Sequence, residues 1–225
     1  MVSRVKRGIK LPQKFYDTIK YNLKVKINQF DLIGEYSLGS LPSVNRVYKV
    51  PVSEINHLIW RDELEKHFNG KIPVGPVWDG DWDILKTKFE KSYIHQSFVD
   101  RFISERSWEK TEYYDQLARK ENKTHEKIIE RLERYDEIFH DMKCSGYDHD
   151  YPIQVYIDRE GEYIRRNGAH RLSMAKIAGV ESIPVKNYAV HKKWQDLREE
   201  IYTSGLPEER EKKLENHPDL GDILD

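Results

Sequence analysis

The sequence predicts an α+β fold: a sheet with helices, interrupted by a large helical insertion. Three observations predict it. The stretch from Tyr151 to Tyr188 reads strand, turn, strand, corner, helix, strand. An isolated strand pattern, Val47-Tyr48-Lys49-Val50, lies far upstream. Between them, residues 84 to 143 carry a helical pattern almost throughout.

Pro152 to Asp158 mixes β-branched and aromatic residues, as a strand does. Arg159-Glu160-Gly161-Glu162 supplies a turn, and Tyr163 to Arg166 returns as a short second strand. Asn167-Gly168-Ala169-His170-Arg171 is the corner. Leu172 to Ala178 follows as a helix, ended by Gly179, and Ile183 to Tyr188 is the next strand.

The corner has the chemistry of an anion site. A glycine directly before a helix lets backbone N–H groups face a ligand, and the helix dipole adds partial positive charge there. Arg171 adds a planar fork suited to phosphate, and His170 a group that donates or accepts near neutral pH. The same residues also suit a plain strand-to-helix turn with Arg171 in a surface ion pair.

Further upstream, residues 1 to 10 carry Arg4, Lys6, Arg7 and Lys10, a solvated terminus or a nucleic-acid arm. A helix is expected from Leu11 to Asn22, with Phe15 and Ile19 on one side. Gly34, Gly39 and Pro42 punctuate a loop. After the Val47 strand, Ser53 is placed to cap a helix, with Glu54 in its first turn or in a functional role.

Trp78-Asp79-Gly80-Asp81-Trp82-Asp83 alternates carboxylates with tryptophans around a glycine. Carboxylates at this spacing suit Mg²⁺, with Asp81 and Asp83 as the candidate ligands. The alternative is an Asp-Gly turn between aromatic core anchors.

In the insertion, a break is expected near Ser107-Trp108. His125, Ile128, Leu132, Tyr135, Phe139 and Met142 step by three and four along an apolar seam, which either docks on the sheet or pairs two chains as a homodimer. His125 is expected to be partly buried. Tyr147-Asp148-His149-Asp150 reads as a loop. Helices are expected at Trp194–Tyr202 and Glu208–Glu215, with an irregular cap around His217-Pro218-Asp219-Leu220.

The organisation is therefore 1–45, an N-terminal helix and loop; 46–190, the sheet domain with its insertion at about 84–145; and 191–225, C-terminal helices.

Composition narrows the function classes. Among 225 residues, 38% are hydrophobic and 34% charged, polar yet with 5 Trp, 14 Tyr and 7 Phe to build a core. The formal net charge of −1 gives no global attraction to nucleic acid. The single cysteine, Cys144, excludes an internal disulfide framework and fits a reducing compartment. No apolar run approaches the ~20 residues that span a bilayer, and no signal-peptide core is visible, so a cytoplasmic location without membrane partners is expected. P-loop, nucleophile-elbow and His-Glu-x-x-His patterns are absent from the sequence.

Asn167-Gly168-Ala169-His170-Arg171-Leu172, Ala175-Lys176 and Gly179-Val180-Glu181-Ser182-Ile183-Pro184-Val185 together resemble the core motif of the ParB/sulfiredoxin-like superfamily. Val47 to Ile55 is a weaker match to that superfamily's first strand. The resemblance implies a small mixed sheet and nucleotide binding at the Gly168 corner, with ATP, ADP or CTP as the nucleotide and Mg²⁺ as its companion. It implies a phosphotransferase or phosphohydrolase, with Asn167, Gly168, Ala169, His170 and Arg171 at the phosphates and His170 and Arg171 catalytic. Ala169 stands where sulfiredoxins carry their cysteine, which removes that activity. Asn167 replaces the usual Asp and weakens the likeness to the superfamily's free-serine kinases. The alternative is a non-catalytic, DNA-associated or regulatory ParB-like module, including a ParB-like nuclease. The helix-turn-helix that follows the nucleotide domain in partition proteins has no counterpart after Tyr188.

Overall fold

A computed structural model describes residues 32, 34–43, 46–120, 124–206 and 214–224. The basic N-terminus, the Leu11–Asn22 helix and most of the Glu208–Glu215 helix lie outside the described residues.

The fold is mixed α/β, built on a seven-stranded mixed sheet. Its strands are β1 (Val47–Pro51), β2 (His57–Leu58), β3 (Val77–Trp78), β4 (Thr87–Lys88), β5 (Ile153–Ile157), β6 (Tyr163–Asn167) and β7 (Ser182–His191). They run in the order β1-β7-β5-β6-β2-β4, with β3 beside the far end of β7. β5 and β6 form the expected antiparallel hairpin, while β7 lies parallel to β5 and β2 parallel to β6. Parallel neighbours need a crossover, and the one from β5 to β7 runs through β6 and then α5 (Ala169–Ala178).

The other helices are α1 (Arg61–His67), α2 (Tyr93–Phe102), α3 (Glu112–Lys120), α4 (His125–Ser145), α6 (Lys192–Ser204) and the short α7 (Gly221–Leu224). α2, α4 and α5 pack together over one face of the sheet, where Ile153, Val155, Tyr163, Ile183 and Val185 meet Phe98, Leu132 and Leu172. The opposite face carries a smaller cluster of Ile59, Leu64, Trp78, Trp82, Tyr156, Ile164 and Ala189.

Two irregularities flank β5. Gln154 pairs with Asn167 and Val155 with Arg165, so β6 carries one extra residue, Arg166. Val155 pairs with Asn187 and Tyr156 with Ala189, so β7 carries one extra residue, Tyr188. Each bulge reverses the alternation of its strand. This is why Val185 and Val190 both belong to the main core, although five positions apart.

Four expectations need correction. The stretch from residue 84 is not helical at its start: 3-10 turns and the edge strand β4 occupy Trp82–Lys91, because Phe89 is drawn under β2 into the core. Ser53 caps no helix; a 3-10 turn, Val52–Glu54, follows Pro51 instead, and Glu54 is exposed. The corner helix begins at Ala169 rather than Leu172. His125 is exposed, its Nδ1 2.7 Å from the Tyr114 hydroxyl.

The α4 seam docks within the chain. Ile128, Leu132 and Met142 are buried, and Tyr135 and Phe139 stack on His170 and Phe102. The apolar centre of the seam is thus spent on contacts within the chain, while His125 at its start is exposed.

Residues 34–43 and 214–224 close over α6. The buried Arg198 guanidinium donates to the Asp219 carboxylate at 2.9 Å and to Asp222 at 3.0 Å, while Trp194 Nε1 donates to Asp219 at 2.8 Å. No helix among the described residues is long and apolar enough to cross a membrane.

Candidate functional site

The corner is built as its residues dictate. Gly168 sits at φ 90°, ψ 28°, a left-handed conformation that costs an L-side chain strain. A Cβ there would also stand 2.7 Å from Ile153 Cδ1. Both facts require glycine. The first intrahelical bond runs from the Leu172 N–H to the Gly168 carbonyl at 2.9 Å. The N–H groups of Ala169, His170 and Arg171 precede it, so the helix itself gives them no acceptor.

Gly168 is not among the available donors. Its N–H donates to the Asn167 side-chain oxygen at 2.7 Å, so Asn167 closes the amide that the sequence offered to phosphate. The donor set shifts by one residue, to 169–171.

These residues line a cavity of about 410 Å³, with Ile94, Tyr135, Ile138 and Met174 opposite. Arg171 donates to the Tyr151 carbonyl, with its guanidinium carbon 5.8 Å from the Tyr151 ring centre. The head is anchored at the cavity rather than paired with an acid, which removes the surface ion pair as its role.

His170 lies in an aromatic cage. Its ring stacks on Tyr135 at 4.7 Å and lies 5.2 Å from Tyr113 and 5.7 Å from Phe98. Burial, reinforced by the nearby Arg131, Arg165 and Arg171 charges, pushes its pKa down to about 4. It is therefore a neutral imidazole at physiological pH, and its Nε2 is buried without a hydrogen-bond partner. A neutral imidazole brings no positive charge to a phosphate here.

Asp81 and Asp83 lie elsewhere. Arg159 donates to both Asp83 oxygens, at 2.8 and 2.6 Å, and to Asp81 at 2.7 Å. Arg159 follows β5 at the hairpin turn, so these carboxylates sit at the opposite end of β6 from Gly168, about 15 Å away along the strand. Their ion pairs hold both pKa values below the usual carboxylate range, though burial opposes this at Asp83. His191 Nε2 approaches Asp83 at 3.9 Å but faces the Gly80 carbonyl at 2.8 Å. Three of the four oxygens of this pair already accept from the Arg159 guanidinium, which a cation would have to displace. Among the described residues no cluster of three or more His, Cys, Asp or Glu could hold one.

Sequence reasoning missed Arg165. It is 8% exposed, and among the described residues it meets no carboxylate. One nitrogen donates to the Arg166 carbonyl at 2.9 Å, while its Nε is buried without a partner. Burial lowers its pKa to about 10. Burying an unpaired guanidinium costs several kcal/mol on the order of magnitude seen for isolated charges, so such a group normally has an anion to meet. The signal was present: Arg165 falls two residues after the buried Tyr163, on the inward face of a strand.

Arg165 and Asn167 line the corner cavity and also a second cleft, of about 510 Å³. That cleft opens beyond β2, between the start of α1 and the Ile72-Pro73-Val74 segment.

No family model matches this chain, and neither curated proteins nor solved structures provide a match.

Proposed function

We propose that this chain is a ParB/sulfiredoxin-like nucleotide-binding protein that grips phosphate at the Gly168 corner. The observation that carries the reading is the buried, acid-free Arg165 guanidinium on the cavity into which the first turn of α5 opens. Main-chain amides of Ala169, His170 and Arg171 take the phosphate oxygens. Arg165 and Arg171 neutralise charge on them, a task the neutral His170 does not share.

Phosphoryl transfer is the chemistry that suits such a set, because it asks for positioning and charge stabilisation more than for covalent work by the protein. The terminal P–O bond breaks as an acceptor oxygen, or water, bonds to phosphorus, and the leaving diphosphate carries the electron pair away. His170, a neutral imidazole whose Nδ1 lies 3.4 Å from the Tyr135 hydroxyl, relays the acceptor proton through that hydroxyl. Asp81 and Asp83 take no part.

Calorimetry with ATP, ADP, CTP and GTP, each with and without Mg²⁺, tests the reading. Saturable binding that Arg171→Ala weakens is expected. Absence of binding at millimolar nucleotide, or equal binding by Arg171→Ala, overturns it.

A further inference from the structure

We propose that the 510 Å³ cleft on the far side of Arg165 is a second binding site, which takes a small organic anion with a flat apolar body. It goes beyond the corner reading and touches it through the shared Arg165 and Asn167.

The cleft's charge is the first argument. Arg61, Arg165 and Arg166 line it, and among the described residues no acidic side chain does. Arg61 is paired with Glu65, an exposed neighbour one helical turn away, at 2.7 Å. Among the described residues, Arg165 and Arg166 meet neutral partners: the Arg166 carbonyl, the Gln154 side-chain oxygen and aromatic rings. A guanidinium whose Nε is buried and unpartnered, beside a second one held by a neutral amide, is a planar fork without its anion.

The second argument is how the wall is made. Arg165 and Arg166 are adjacent in a strand and would normally face opposite sides of the sheet. The β6 bulge brings both to the same cleft. The β7 bulge places Tyr188 there as well, and the Arg166 guanidinium stacks on its ring at 3.5 Å. Both bulges flank the same residues of β5. Bulges re-aim side chains at a cost to strand pairing, and they concentrate beside functional sites.

The third argument is the lining. Trp60 and Tyr188 offer aromatic surface, while Ile72 and Pro73 form an apolar side. Fixed charges on one side of a concavity and an apolar wall on the other suit a small amphipathic molecule, and the volume suits a ligand of metabolite size. The acidic group goes to Arg165 and Arg166, and the flat body lies toward Trp60.

Calorimetry with phenyl phosphate, benzoate and inorganic phosphate tests this on the full chain. Phenyl phosphate or benzoate binds saturably, and better than inorganic phosphate; which of the two binds tells a phosphate ester from a carboxylate. Arg166→Gln weakens that binding by about tenfold or more, the loss of one charge-assisted pair. Arg61→Ser, at a side chain 85% exposed and safe for folding, weakens it more mildly. Arg171→Ala leaves it unchanged. Nucleotide binding survives Arg166→Gln if the two sites are separate, and its loss there would merge them and end the claim. No saturable binding of either aromatic anion, or binding indifferent to Arg166→Gln and Arg61→Ser, also overturns it. Aromatic-anion binding with no nucleotide binding leaves the cleft standing and removes only the corner reading.

Discussion

The Arg166 guanidinium carbon lies 3.5 Å from the centre of the Tyr188 ring, although β5 runs between their strands. Each is the extra residue of a bulge, one on either side of β5. The stack fixes the wall of the cleft and leaves Arg165, its neighbour in sequence, as a buried charge between two cavities.

That position sets stability against binding. Arg165→Met removes a buried charge that has no acid partner and keeps most of the volume. The variant is expected to be more stable by about 1–3 kcal/mol and to lose anion binding at both cavities. Thermal denaturation with calorimetry on one preparation checks it; a destabilised variant that still binds would contradict the argument.

Gly168→Ala meets two separate penalties, the left-handed backbone and the contact with Ile153 Cδ1 at 2.7 Å. A loss of about 1–3 kcal/mol is expected. Ile153→Val in the same chain removes that Cδ1 and relieves the contact alone, so it should recover only part of the loss beyond its own cost. Urea unfolding of the single and double variants measures the split.

His170 ties stability to pH. Its folded pKa, about 4, lies below the ordinary value of 6.5, so the unfolded chain binds the proton more readily. The contribution is complete above pH 6.5 and is lost as pH falls toward 4, at most about 3 kcal/mol in all. His170→Phe keeps the aromatic cage filled and should flatten this limb of the stability–pH curve relative to wild type. Equal slopes for the two proteins between pH 6.5 and 4 would rule the assignment out.

Asp83 and Asp219 are predicted to be structural. Asp219→Asn breaks a pair whose side chains are 0% and 3% exposed and is expected to cost about 3–5 kcal/mol. Asp83→Asn loosens Arg159 and should cost less, about 1–2 kcal/mol, with nucleotide and Mg²⁺ titrations unchanged. A shift in Mg²⁺ dependence on Asp83→Asn would reopen a metal role.

Local chemistry was legible in the chain. The hairpin turn, the glycine corner, the helix ended by Gly179 and the seam of α4 follow from periodicity and turn residues that act over a few positions. The two-residue strands β2, β3 and β4 were not legible, because two residues carry no alternation and their pairing depends on partners as distant as residues 164 and 190.

By itself, the sequence determined which residues make the corner: only glycine tolerates the backbone of position 168, and a helix must follow. Tertiary structure alone decided what each neighbour does there. Asn167 turned back onto the Gly168 amide, His170 was packed among rings and lost its charge, Arg159 claimed the Asp81–Asp83 pair, and one bulge brought Arg165 and Arg166 to one cleft. Charge state and side-chain direction depend on what other parts of the chain place within a few ångströms, and one extra residue in a strand is enough to reverse both.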